Sequence, residues 1–131
     1  ELVAAHRERT AAATVLSAHL DDATGYGRVI RASDGGLDRI VEHKDASDDE
    51  KAVTEINSGT YVVNADALRR SLTHVTTDNA QAEKYLTDVI GVLRGEGATV
   101  AAIPEDEAWL VGGVNDRVQL QEAAARLNAL I

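Results

Sequence analysis

Four polar positions lie where strands should end or turn, and their types are those that recognise a ligand rather than attack one. They are Gly27, at the approach to a hairpin; Glu42, after Ile40-Val41; Asn57, inside Glu55-Ile56-Asn57-Ser58-Gly59; and Asn115, after Gly112-Gly113-Val114. A glycine lets a backbone N–H approach a ligand closely. A carboxylate accepts hydrogen bonds from hydroxyl groups, and a carboxamide both donates and accepts. In α/β folds the loops at strand ends line the ligand crevice, so the set suits a polyhydroxylated ligand. The same residue types also serve plainer ends, the asparagines as caps or turns and Glu42 as a solvated strand end, and spacing leaves both readings open.

Other chemistries find little support. The four histidines, His6, His19, His43 and His74, are scattered and show no His-x-x-x-His or His-x-Glu spacing, so a histidine metal site is not expected. There is no cysteine, hence no disulfide, no thiolate nucleophile and no cysteine zinc site, a usage compatible with a reducing compartment. No serine sits in Gly-x-Ser-x-Gly, and Gly25-Tyr26-Gly27 is followed by Val29-Ile30 where a dinucleotide loop needs a third glycine. No residue is nominated as catalytic. The acidic run Asp45, Asp48, Asp49 and Glu50 is read as the first turn of an exposed helix.

The 131 residues carry 22 acidic against 13 basic side chains, a formal charge of -9. That balance repels phosphate backbones and anionic membrane faces, so neither nucleic acid nor a lipid surface is an expected partner. No run approaches the ~18 apolar residues of a membrane span, and the start lacks a signal-peptide layout. A cytoplasmic protein is expected.

The elements that must position these residues alternate between strand and helix. Helix is expected from Glu1 to about Arg9, and the apolar run 12–20 suits a buried strand. The segments 28–31 and 37–42 flank Asp34-Gly35-Gly36 as a hairpin. Ser47-Asp48-Asp49-Glu50 has the spacing of a capping box. A strand over 56–63 leads to Asn64, which can cap a helix from Ala65. Leu86, Val89, Ile90 and Leu93 recur on one helical face, closed by Gly95 and Gly97. A strand over 98–103 ends at the only proline, Pro104, and Trp109-Leu110-Val111 is read as a short strand. Leu120, Ala124, Leu127 and Ile131 share a face of a last helix beginning at Asn115 or Asp116. The class is therefore α/β, in one domain.

Five segments in this order resemble the uridylyltransferase half of the bacterial bifunctional enzymes that make UDP-N-acetylglucosamine. They are Thr24-Gly25-Tyr26-Gly27-Arg28-Val29; Ile40-Val41-Glu42-His43-Lys44-Asp45-Ala46; Glu55-Ile56-Asn57-Ser58-Gly59; Asn79-Ala80-Gln81 with Tyr85-Leu86-Thr87-Asp88-Val89; and Gly113-Val114-Asn115-Asp116-Arg117-Val118-Gln119-Leu120. The Val-Glu-His-Lys-Asp-Ala and Gly-Val-Asn-x-Arg blocks are the most specific, and the alanine- and arginine-rich texture resembles actinobacterial members.

The resemblance implies the C-terminal part of a Rossmann-like nucleotidyltransferase domain, a mixed sheet with flanking helices. In that family N-acetylglucosamine 1-phosphate attacks the α-phosphate of UTP, giving UDP-N-acetylglucosamine for cell-wall precursors and releasing pyrophosphate. Carried over by motif, Gly27, Glu42 and Asn57 would contact the sugar and its acetamido group. Tyr85 and Thr87 would wall the acetamido side, and Asn115 would touch the nucleotide sugar and help hold Mg²⁺. The resemblance also implies a glycine-rich nucleotide loop before Glu1, a left-handed β-helix acetyltransferase domain after Ile131, and a homotrimer built through that domain. On this view the 131 residues are a sugar-binding piece that is inactive alone. Asp116 departs from the family's usual second asparagine, and Asp34-Gly35-Gly36 is one residue longer than in many relatives. Alternative readings are another sugar-1-phosphate nucleotidyltransferase, or a non-catalytic module that binds a sugar nucleotide.

Overall fold

A computed structural model describes residues 1–114 and 116–131. Its elements are α1 (Leu2–Glu8), β1 (Ala13–His19), β2 (Arg28–Arg31), β3 (Leu37–Val41), α2 (Asp48–Lys51), β4 (Glu55–Val63), α3 (Ala65–Leu72), α4 (Asp88–Gly95), β5 (Val100–Pro104), a 3-10 turn (Ala108–Val111) and α5 (Arg117–Leu130). The five strands form one sheet in the order β3-β2-β4-β1-β5. β1 and β5 run parallel and the other pairs antiparallel, so the sheet is mixed, as the α/β reading requires.

β1 lies inside the sheet and is covered on both faces, which is why its sequence is an almost unbroken small and apolar run. Ala13 and Val15 face the main core with Val29, Leu37, Ile40, Val89, Ile90, Leu93, Val100 and Ala102. On the opposite face Ala18 and Ile56 pack with Ala23. At the first helix His6 Nδ1 meets the Thr14 hydroxyl at 2.8 Å and Nε2 meets Asn64 Oδ1 at 3.1 Å, pinning α1 to the sheet.

Two local features shape the site. In the hairpin the Asp34 carboxylate accepts from Gly36 N–H at 2.9 Å, and Gly35 has φ +82°. The hairpin pairs with β4 only at Arg28–Ile56, so its far end is free to fold over. Arg31 thereby reaches Glu55 of β4 at 2.6 Å and the Ala102 carbonyl of β5 at 3.1 Å. The second feature is a bulge in β4. Val15 and Ser17 are two residues apart on β1, but their partners Tyr61 and Asn57 are four apart on β4. The surplus is accommodated at Gly59, which has φ +81°. Its N–H donates to Asn57 Oδ1 at 2.9 Å, while Thr60 N–H donates to Ser58 Oγ at 3.1 Å.

The structure corrects several expectations. Trp109-Leu110-Val111 lies in a 3-10 turn rather than a strand, with Leu110 N–H donating to the Glu107 carbonyl at 2.9 Å. Leu86 precedes α4 and is half exposed, while Val89, Ile90 and Leu93 are buried as their spacing requires. Asn64 stands at the N-cap of α3 without a side-chain cap bond, because its carboxamide is engaged by His6 and the Ala11 carbonyl. The capping box at Ser47 and Glu50 forms in full. α5 begins at Arg117, and the Asp116 carboxylate accepts from Gln119 N–H at 2.8 Å. Its Leu120, Leu127 and Ile131 are exposed, so the apolar face read from the sequence is uncovered. No described helix is long and apolar enough to cross a membrane.

Candidate functional site

The register of the hairpin brings the first two residues together. Arg28 pairs with Val41, so Gly27 and Glu42 face one another one step beyond the ladder. A Cβ placed on Gly27 would lie 3.3 Å from Ile40 Cγ2 and 3.4 Å from Glu42 Oε2. The approach to Ile40 is the tight one, so a side chain here would press on the core, and it would lie in direct contact with the carboxylate. The Gly27 carbonyl accepts from Asn57 N–H at 2.9 Å, which brings β4 to the same point. Thr87, at the start of α4 and buried, donates its hydroxyl to Glu42 Oε1 at 3.0 Å. Four segments distant in sequence thus place Gly27, Glu42, Asn57 and Thr87 in one cluster.

Tyr61 stands next to this cluster along β4 and carries no sequence signal of its own. Its ring packs against the main core. By register it stands opposite Val15, one place along the same face from the Ser17–Asn57 pair. Burial pushes the phenol up to about 12; Asn57 opposes the shift and Glu42 adds to it, so the group is neutral throughout the ordinary pH range. Only the β4 bulge, which regular alternation does not foretell, makes Tyr61 the neighbour of Asn57.

Tyr85 stands at the side. Its hydroxyl donates to Asp45 Oδ2 at 3.1 Å and accepts from Gln81 Nε2 at 3.0 Å. Asp45 Oδ1 accepts from Ala80 N–H at 2.7 Å, and Lys44 Nζ donates to Gln81 Oε1 at 2.7 Å. These bonds clasp the loop 78–87 to the segment after β3. Burial pushes the Tyr85 phenol and the Asp88 carboxyl up, and the Asp45 charge adds to both. Glu42, Tyr85 and Thr87 line a cleft of about 270 Å³ with Asp45 and Asp88. A wider cleft of about 450 Å³ lies between the loop 19–26 and α5, lined by Asp22, Tyr26, Trp109, Gly113 and Arg126. Asn115 lies outside the described residues.

The cluster can recognise but has no nucleophile. Asn57 Oδ1 is committed to Gly59, so its amide hydrogens are the donors left for a ligand, with the Glu42 carboxylate as acceptor beside them. Among the described residues no three histidine, aspartate or glutamate side chains converge on a cation site.

Comparison with known proteins agrees with this architecture. The family described as nucleotidyl transferase matches residues 1–126. A bifunctional protein GlmU from Leifsonia xyli subsp. xyli is 62% identical over 130 residues, covering 99% of this chain and 27% of the relative. The bifunctional protein GlmU of Pseudarthrobacter chlorophenolicus is 55% identical over 128 residues, covering 98% and 26%. The chain thus spans about a quarter of the length of the curated relatives it matches. Among solved structures, a Bacillus anthracis protein described as a candidate glucose-1-phosphate thymidylyltransferase, in complex with a sucrose, superposes with a TM-score of 0.66. It is 18% identical, and the match covers 95% of this chain and 46% of that one. That likeness speaks for the fold.

Proposed function

This chain belongs to the nucleotidyl transferase family, and from that premise we propose that it recognises the sugar for an N-acetylglucosamine-1-phosphate uridylyltransferase. The reaction joins the sugar phosphate to the α-phosphate of UTP and releases pyrophosphate, forming UDP-N-acetylglucosamine. The observation that supports this most is the gathering of Gly27, Glu42, Asn57 and Thr87 around one point. Glu42 accepts from sugar hydroxyls or the acetamido N–H, and the Asn57 amide donates to a hydroxyl or to the acetyl carbonyl. Tyr85 and Thr87 wall the acetamido side from the clasped loop.

Phosphoryl-type transfer depends on positioning and charge neutralisation more than on a protein nucleophile, so a site without one is suited to it. The divalent cation of such a reaction is taken as Mg²⁺, which neutralises phosphate charge. Asn115 is its expected ligand in this chain, since such a cation is held by one or two protein oxygens plus phosphates and water and needs no acidic cluster. The residues described here bind and orient the sugar. A cytoplasmic enzyme, trimeric through an acetyltransferase domain, completes our reading, as the motif resemblance implies.

The test is product formation by the protein at its natural full length, with UTP and Mg²⁺, from N-acetylglucosamine 1-phosphate or glucose 1-phosphate. UDP-N-acetylglucosamine is expected as the preferred product by at least about tenfold, the selectivity one good polar contact provides. Equal or better use of glucose 1-phosphate would transfer the site to another sugar-1-phosphate nucleotidyltransferase.

A further inference from the structure

One wall of the 270 Å³ cleft is a loop that the core does not hold. Residues 76–86 are all exposed or half-buried, and burial resumes only at Thr87, just before α4. The loop keeps its own shape through Asn79. Its Oδ1 accepts from the Gln81 and Glu83 N–H groups at 3.1 and 3.2 Å, and its carbonyl accepts from Ala82 N–H at 3.1 Å. Where that folded loop sits against the cleft is decided by the turn 42–45.

The turn is a firm support. Asp45 N–H donates to the Glu42 carbonyl at 3.0 Å, Ala46 is buried, and the capping box of α2 follows at Ser47. Both carboxylate oxygens of Asp45 go to the loop: Oδ1 takes Ala80 N–H at 2.7 Å, and Oδ2 takes the Tyr85 hydroxyl at 3.1 Å. A second line of bonds starts at the adjacent residue and returns to the same point. Lys44 Nζ donates to Gln81 Oε1 at 2.7 Å, Gln81 Nε2 donates to the Tyr85 hydroxyl at 3.0 Å, and that hydroxyl donates to Asp45. The line runs from an ammonium to a carboxylate with every group donating onward, an arrangement in which hydrogen bonds reinforce one another. The Tyr85 hydroxyl is thus gripped from two sides, while Glu42, at the other end of the turn, grips Thr87 at 3.0 Å.

We propose that Asp45 is a positioning residue that sets the specificity of the sugar subsite, holding Tyr85 and the loop at the distance from Glu42 that an acetamido group fills. This rests on the reading of the site as one for N-acetylglucosamine 1-phosphate. Asp45 takes no part in the transfer. Its loop partners all stand on the acetamido side, so the nucleotide should not sense its loss.

Asp45 is exposed, so Asp45→Ala removes the clasp without opening the core. In the full-length protein kcat/KM for N-acetylglucosamine 1-phosphate should fall about tenfold, mostly through KM. Glucose 1-phosphate has no acetamido group to meet the wall, so its kcat/KM should hardly change, and neither should the KM for UTP. Asp45→Asn keeps the shape and an acceptor for Ala80 N–H, and it should lose less. In a Tyr85→Phe background Asp45→Ala should cost clearly less than in the wild type, since the hydroxyl it holds is gone. Amide hydrogen exchange at Ala80, which loses its acceptor, should quicken. An unchanged preference between the two sugars, an equal loss with both, a loss as large without the Tyr85 hydroxyl, or unchanged exchange at Ala80 would each overturn the proposal. If the wild-type protein itself shows no preference for N-acetylglucosamine 1-phosphate, the reading of the whole site falls instead, and the specificity assigned to Asp45 falls with it.

Discussion

At the scale of single residues, Gly27 shows how an absent side chain can be the functional feature. The two atoms a Cβ would meet differ in freedom. Ile40 is 4% exposed and packed in the core, whereas the Glu42 carboxylate is held only at its tip by Thr87. In Gly27→Ala the tight contact is with Ile40 at 3.3 Å, and the methyl also fills the space directly beside the Glu42 carboxylate at 3.4 Å, so the strand end and the room around Glu42 are both disturbed. The expected result is a sugar KM raised about tenfold with a stability loss of about 1 kcal/mol, at the low end for overpacking. Steady-state kinetics and urea midpoints on the same protein check this; a large stability loss with normal KM would show that the backbone moved instead. Gly27, Glu42 and Asn57 could be picked out of the sequence because polar residues at strand ends stand out against the apolar strands. The place of Tyr61 next to Asn57 along the strand face could not, since a half-buried tyrosine in a strand looks like core and its register depends on how far the bulge displaces it.

At the scale of elements, two glycines with opposite roles allow a paired comparison. Gly59 sits at φ +81° in the β4 bulge, where an L side chain is strained. Gly91 lies in the middle of α4 with nothing within 4 Å of its would-be Cβ. Gly59→Ala should cost roughly 1–2 kcal/mol from the left-handed backbone alone, and it should weaken sugar binding as well, because relaxing the bulge loosens the Gly59 N–H bond that fixes Asn57 Oδ1 at 2.9 Å. Gly91→Ala should stabilise by about 0.5–1 kcal/mol through helix propensity. Denaturant midpoints of the two variants should move in opposite directions, and a shift of the same sign in both would refute the assignment. The elements whose periodicity is tied to burial were legible: β1, the hairpin, β4 and the buried face of α4. Those that went astray lacked such a tie. Leu86 extends the i, i+3, i+4, i+7 series by sequence, yet it lies in the loop whose path is set by the clasp to Asp45. The apolar residues of α5 have helical spacing, but a period says nothing of what covers the stripe.

At the scale of the molecule, the folded-over hairpin depends on one buried carboxylate. Glu55 accepts from the Ser17 hydroxyl at 2.7 Å and from Arg31 at 2.6 and 2.9 Å, and Arg31 passes on to the Ala102 carbonyl. Strands β1, β2, β4 and β5 meet there through side chains, where the ladder between β2 and β4 provides a single pair. Burial pushes the Glu55 carboxyl up, but the hydrogen bonds from Arg31 and Ser17 and the Arg31 charge outweigh it and hold it below the usual carboxylate range. A carboxyl lowered in the folded state contributes stability that is fully present above its unfolded value of about 4.3 and is lost as pH falls through the folded value. Glu55→Gln imitates the protonated acid without the charge. The wild type should therefore be the more stable protein at neutral pH, and the two should converge as pH falls below about 4. Urea midpoints measured for both from pH 7 to about 3 decide the matter. A gap that stays constant to the acid end would mean that shape and not charge holds the hairpin over β5. Convergence would tie the placement of Gly27 and Glu42, which flank that hairpin, to the ionisation of a residue on the neighbouring strand.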